Sequence, residues 1–147
     1  MKSNNKIYIF GYGSLINKSS RKRTLKKKVK TEIAEIHPEY GYKKKLNTIA
    51  SDNIHTVMGI EENSKKDTSI KGVIFLVNKR QLNKLNKREI VYSKKIVPKK
   101  YIKTNMKFEK GSKVLIYKPY KVRIQNKNIN VTKKYRKLIK NPTKNSI

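Results

Sequence analysis

Apolar residues in this chain occur in short runs separated by lysine-rich polar stretches, and three of the runs predict buried strands. Residues 71–77, Lys-Gly-Val-Ile-Phe-Leu-Val, are almost continuously apolar, the pattern of a strand covered on both faces. Residues 7–10, Ile-Tyr-Ile-Phe, are all β-branched or aromatic, and residues 114–117, Val-Leu-Ile-Tyr, end at Lys118-Pro119. The segment from 40 to 46 alternates instead, with Tyr40, Tyr42, Lys44 and Leu46 on one face, as in a half-buried strand. Residues 90–98 predict a further strand, and 64–69 a polar hairpin loop. Pro38 excludes helical geometry at His37, which places a turn at 35–39.

The helical pattern is sparser. Asn78 is suited to cap a helix over 79–88, in which Leu82 and Leu85, three apart, face the core. Thr132 supplies a start signal for a last helix within 130–139, with Tyr135, Leu138 and Ile139 on one side. Between 17 and 30 the only apolar anchors are Leu25 and Val29. Their spacing allows a short helix, but the density of like charge favours a solvated loop. Residues 141–147 predict a disordered tail, and the absence of repeats makes 6–140 one unit.

The length of 147 residues suits one compact domain with a real core. With no cysteine, neither a disulfide framework nor a cysteine-based zinc site is available, and His37 and His55 lack the spacing of metal ligands. No metal or cofactor is expected. The N-terminal apolar run is too short for a signal peptide, and no stretch approaches the ~20 apolar residues of a membrane span. The expectation is a soluble protein of the cytoplasm with no membrane partner. Oligomeric state is not legible.

Charge complicates this picture. Lys and Arg number 39 against 9 Asp and Glu, a formal net charge of +30. The lysines are spread over nearly every segment alongside abundant Asn and Ile, as a coding bias would produce. They nevertheless predict salt-sensitive, sequence-indifferent adhesion to polyanions, strongest over 17–30.

The candidate chemistry begins where the first strand stops, at Gly11-Tyr12-Gly13-Ser14-Leu15. Two glycines would permit positive φ and a sharp turn that presents the N–H groups of Tyr12, Gly13, Ser14 and Leu15 to one point, where an anion or carbonyl oxygen could sit. An ordinary hairpin turn has the same spelling.

Residues 10–15, Phe-Gly-Tyr-Gly-Ser-Leu, resemble the opening signature of the gamma-glutamylcyclotransferase-like family (the AIG2-like superfamily), particularly its ChaC-type branch. Gly41-Tyr42-Lys43-Lys44-Lys45-Leu46-Asn47 is similar to that family's Gly-aromatic-Arg-Arg-Arg-Phe-Asn segment, with lysines for arginines. Val57-Met58-Gly59-Ile60-Glu61 resembles its next strand. Leu85-Asn86-Lys87-Arg88-Glu89-Ile90-Val91-Tyr92 fits its Leu-x-x-Arg-Glu-x-x-Tyr mark. Many relatives continue beyond the last tyrosine helix, so the resemblance leaves pocket closure and substrate choice open.

The resemblance implies an α+β fold, a small mixed, barrel-like sheet of about six strands with two or three short helices. It implies cleavage of a gamma-glutamyl amide, in glutathione or another gamma-glutamyl peptide or amine, to 5-oxoproline and a free amine. The substrate's own α-amino group is the nucleophile, so the protein must supply an acid/base with a pKa raised toward neutrality. The implied catalytic residue is Glu89, the only carboxylate between Asp67 and Glu109. Its cationic neighbours would lower its pKa, so burial has to prevail, and an exposed Glu89 would be an ordinary helix end. Tyr12, Gly13, Ser14 and Leu15 would bind substrate through backbone N–H groups, with Ser14 acting mainly through its amide. Tyr135 would add a hydroxyl, or else be a core aromatic with a wet tip. The alternative from a different class is a catalytically inactive basic protein of the same fold that associates with nucleic acid.

Overall fold

The computed structural model describes residues 6–125 and 130–147. Its centre is a six-stranded sheet in the order β6-β8-β1-β5-β2-β7, made of β1 (Ile7–Gly11), β2 (Thr31–Ile36), β5 (Ile70–Val77), β6 (Tyr92–Val97), β7 (Ile102–Thr104) and β8 (Lys113–Pro119). Only β1 and β8 run parallel; the other neighbours are antiparallel. The edge strands β6 and β7 are joined by four residues, 98–101. A flat sheet would set its edges about 24 Å apart, whereas five Cα steps reach at most roughly 17 Å. The sheet therefore curls toward closure, and the mixed α+β, barrel-like expectation holds.

Alternation along the central strands sorts their side chains to two faces. Tyr8, Phe10, Ile74, Val114 and Ile116 are buried on one, beneath a separate hairpin of β3 (Tyr42–Ile49) and β4 (Thr56–Glu62), which contributes Ile60. Ile9, Val73, Phe75, Leu115 and Tyr117 are buried on the other, beneath α1 (Lys18–Leu25) and α2 (Lys79–Arg88), which contribute Leu25 and Leu85. The continuous apolar run of β5 thus has a cover on each side. Asn78 caps α2 through a reciprocal box with Gln81. Thr132 accepts from the Tyr135 N–H to start α3 (Lys133–Leu138).

Four expectations require correction. Residues 18–25 form a helix, not a loop. Asn17 caps it, Leu25 is buried, and Arg21 is held by the carbonyls of Leu15, Ile16 and Ser146, contacts that outweigh like-charge repulsion. Burial lowers the Arg21 pKa to about 10. The 64–69 loop closes no hairpin: it carries the chain from β4 in the small sheet to β5 in the large one. The tail, expected without structure, contains a 3-10 turn, Lys144–Ser146, whose Ser146 carbonyl meets Arg21. Finally, positive φ among glycines occurs at Gly41 and Gly111, not at Gly11 or Gly13.

Candidate active site

Beyond β1 the chain does turn, but as a 3-10 turn over Ser14–Ile16, in which the Ile16 and Asn17 N–H groups donate to the carbonyls of Gly13 and Ser14. The leading N–H groups of such a turn have no carbonyl within it to accept them. The glycines matter here for space. A Cβ on Gly11 would lie 2.8 Å from the Leu15 Cβ, and one on Gly13 would lie 3.4 Å from both the Met58 Cβ and the Tyr135 hydroxyl. Residues 10–15 form one wall of a cavity of about 190 Å³. Arg88 and Glu89 at the end of α2, Val91 and Tyr92 beyond it, Ala50 and Ser51 after β3, Val57 and Met58 from β4, Tyr117 from β8 and Tyr135 from α3 complete it. All six predicted site residues, Glu89, Tyr12, Gly13, Ser14, Leu15 and Tyr135, line this single cavity.

Glu89 is the C-cap residue of α2, its N–H bonded to the Leu85 carbonyl at 2.8 Å. Its side chain is 15% exposed, and Oε1 lies 3.9 Å from Arg88 Nε. Burial raises the Glu89 pKa above the ordinary carboxylate value, and the Arg88 charge opposes that rise without cancelling it. The Arg88 guanidinium, in turn, is committed elsewhere. Its Nη1 donates to the Ser20 carbonyl and to Thr24 Oγ1, both at 2.8 Å, and its Nη2 to Ser14 Oγ and Ser20 Oγ, both at 2.7 Å. One side chain at the end of α2 thereby fixes both α1 and the 3-10 turn. Ser14, expected to act mainly through its amide, also uses its hydroxyl as an anchor for Arg88.

Tyr117 also lines the cavity, its hydroxyl donating to Asn86 Oδ1 at 2.8 Å, and three further tyrosines add polar groups to the wall. Tyr92 donates its hydroxyl to the Met58 carbonyl at 2.6 Å, while the Met58 N–H donates to the Tyr135 hydroxyl oxygen at 2.8 Å. Tyr12 donates to the Tyr117 carbonyl. Burial raises the pKa of all three, reinforced at Tyr12 by the Glu89 charge, so all are neutral phenols at pH 7. Among the described residues, Tyr135 is the one of the three whose hydroxyl proton is given no acceptor, so that proton is available to the cavity.

Sequence reasoning missed Arg88 as a clamp and Met58 as a backbone bridge between two tyrosines. Arg88 and Tyr92 were visible only as spellings beside Glu89; the partners that define their roles are 34 to 74 residues away. Among the described residues no group of three or more His, Cys, Asp or Glu gathers as for a metal ion. No helix among them is long and apolar enough to cross a membrane.

The curled mixed sheet with its outlying hairpin and three helices is an α+β fold of the gamma-glutamyl cyclotransferase type. Among solved structures, the chain is similar to a gamma-glutamyl cyclotransferase, with a TM-score of 0.65 and 16% identity over 92% of this chain and 76% of the other. It is similar also to the yeast gamma-glutamyl cyclotransferase specific to glutathione (TM-score 0.60, 14% identity, 84% and 74% covered) and to an uncharacterized human protein (0.63, 16%, 92% and 77%). No protein-family model and no curated protein matches the sequence.

Proposed function

We propose that this protein is a gamma-glutamylcyclotransferase-like enzyme that converts a gamma-glutamyl amide to 5-oxoproline and a free amine. The observation that carries this reading is the placement of a desolvated carboxylate, Glu89, in one cavity with the turn at residues 12–15. In the reaction, the Glu89 carboxylate takes a proton from the substrate's α-ammonium. The freed amine attacks the γ-carbonyl carbon, closes a five-membered ring and gives its second proton to solvent, and the C–N bond to the leaving group breaks as Glu89 returns its own proton to that nitrogen. Both transfers need a pKa near the working pH, which the burial of Glu89 favours. The leading N–H groups of the turn suit the substrate's α-carboxylate and hold the glutamyl chain bent for ring closure. The free Tyr135 proton suits the developing negative charge on the γ-carbonyl oxygen.

The test is 5-oxoproline release from glutathione and from a set of gamma-glutamyl amines by Glu89→Gln, which keeps the shape and removes the proton carrier. Turnover is expected to fall by about 10² to 10⁴ with the fold retained. Unchanged turnover in the Gln protein refutes the role of Glu89.

A further inference from the structure

We propose that the helical face of the molecule carries a groove that binds the phosphodiester backbone of nucleic acid, independently of the cavity. In the linear sequence, lysine looks evenly dispersed. In the folded chain the balance is lopsided, because the nine carboxylates are placed unequally. None lies in residues 1–31 or 68–88, the stretches that contain β1, α1 and α2. Segment 18–30 holds eight Lys and Arg, and α2 holds five. Since α1 and α2 lie side by side on the same face of the sheet, their charges sum rather than disperse. Arg21 and Arg88 are consumed by internal hydrogen bonds; the remainder form a cationic surface.

That surface is concave. A groove of about 790 Å³ runs between the 26–30 segment and α2, floored by apolar side chains that include Ile7, Val29 and Leu82. Lys6, Lys27, Lys28, Lys30, Lys79 and Lys94 line it, and no carboxylate does. None of these six takes part in an ion pair among the described residues. The carboxylates Glu39, Glu61, Glu62 and Asp67 belong to the hairpin side of the molecule, with Glu61 already between Lys43 and Lys45. Six ammonium groups without ion-pair partners in one groove supply the charge that a strand of phosphates would neutralise. The groove's lining includes no aromatic ring, so bases have no stacking platform and recognition follows the backbone rather than the sequence.

The experiment measures binding of a 20-nucleotide single-stranded RNA and of a duplex DNA to the full chain by fluorescence anisotropy across a salt series. Six phosphate contacts predict a log–log salt slope of about −4 on the single strand. Lys27→Gln, Lys28→Gln and Lys79→Gln together should reduce that slope to about −2. Lys43→Gln, Lys65→Gln and Lys103→Gln, the same charge change away from the groove, should leave it unaltered. Both triple variants should retain the melting temperature and 5-oxoproline formation of the parent. Equal effects of the two triples would overturn the proposal in favour of diffuse charge. Binding to anionic phospholipid vesicles at physiological salt, with none to either nucleic acid, would overturn it in favour of a membrane surface. If the parent chain yields no 5-oxoproline, the enzymatic reading fails while the groove is still judged by its slopes.

Discussion

Arg88 and Lys79 stand at opposite ends of the same helix and carry the same charge, yet they belong to different physical regimes. Arg88 is about four-fifths shielded and places four hydrogen bonds on three residues of the turn and α1. Lys79 is solvated and lines a groove whose cations are unpaired. In the cavity wall, Arg88 ties Ser14, Ser20 and Thr24 together and Met58 links Tyr92 to Tyr135, so a change at one is transmitted to the next. In the groove, water already satisfies every ammonium, so loss of one leaves the fold indifferent. A wall of fixed dipoles suits chemistry on a single small substrate, whereas a row of independent charges suits a long polyanion.

The sharpest way to separate the regimes is Glu89→Gln, which should remove activity while raising stability. Glu89 is protonated in both folded and unfolded chains below its ordinary pKa of 4.5, and its raised folded pKa means that ionisation is disfavoured in the native site. Folding therefore loses free energy as pH rises from 4.5 through the folded pKa. The Gln protein should melt higher than the parent at pH 7, and the difference should vanish below pH 4.5. A difference that persists at pH 3.5 would assign the effect to packing.

Arg88→Met comes next. It leaves the hydroxyls of Ser14, Ser20 and Thr24 without their shared donor and should lower stability by about 2 to 4 kcal/mol, with kcat/KM falling on the order of tenfold or more. Removal of the positive charge beside Glu89 should also move the acidic limb of the kcat/KM profile to higher pH, since Arg88 holds that pKa down. A purely structural Arg88 would leave the limb in place.

Of the two turn glycines, Gly11→Ala should destabilise more, by roughly 1 to 3 kcal/mol, because its new methyl would meet the Leu15 Cβ at 2.8 Å. Gly13→Ala, whose methyl makes 3.4 Å contacts with Met58 and Tyr135, should fold nearly normally and show its cost as a raised KM, since the methyl faces the cavity wall. The reverse order by thermal melting and kinetics would place the tighter constraint at residue 13. The smallest effect belongs to the groove: each lysine-to-glutamine change there should stay within about 0.5 kcal/mol by denaturant titration.

What the sequence revealed follows the same division. Strands β1, β5 and β8 were legible because burial on two faces leaves an unbroken apolar run, and the α2 cap because its partners are three residues apart. Helix α1 was not, since its stabilising contacts are a buried arginine and hydroxyls bound by Arg88, all invisible to periodicity. The three-residue β7 is too short to leave a pattern, and the path from β4 to β5 was mistaken for a hairpin because strand spacing does not say which sheet a strand joins. At the site, the 12–15 turn was legible from its flanking glycines, Glu89 and Tyr135 came from resemblance, and all fall together in space. The expected positive φ did not appear, because steric room at Gly11 and Gly13, rather than backbone handedness, is what the turn requires.

The place of β1 between β5 and β8 has a consequence for how the chain is made. β1 is made before both strands that flank it and must wait for residues 70–77 to satisfy one edge and for 113–119 to satisfy the other. Pairings that distant in sequence slow folding, and an apolar strand with an open edge invites association with other chains in the meantime. The lysines that follow it, from Lys18 to Lys30, are exposed in the folded chain and need no partner to stay solvated while it is being made. They give nascent chains a mutual repulsion during the interval in which β1 is incomplete.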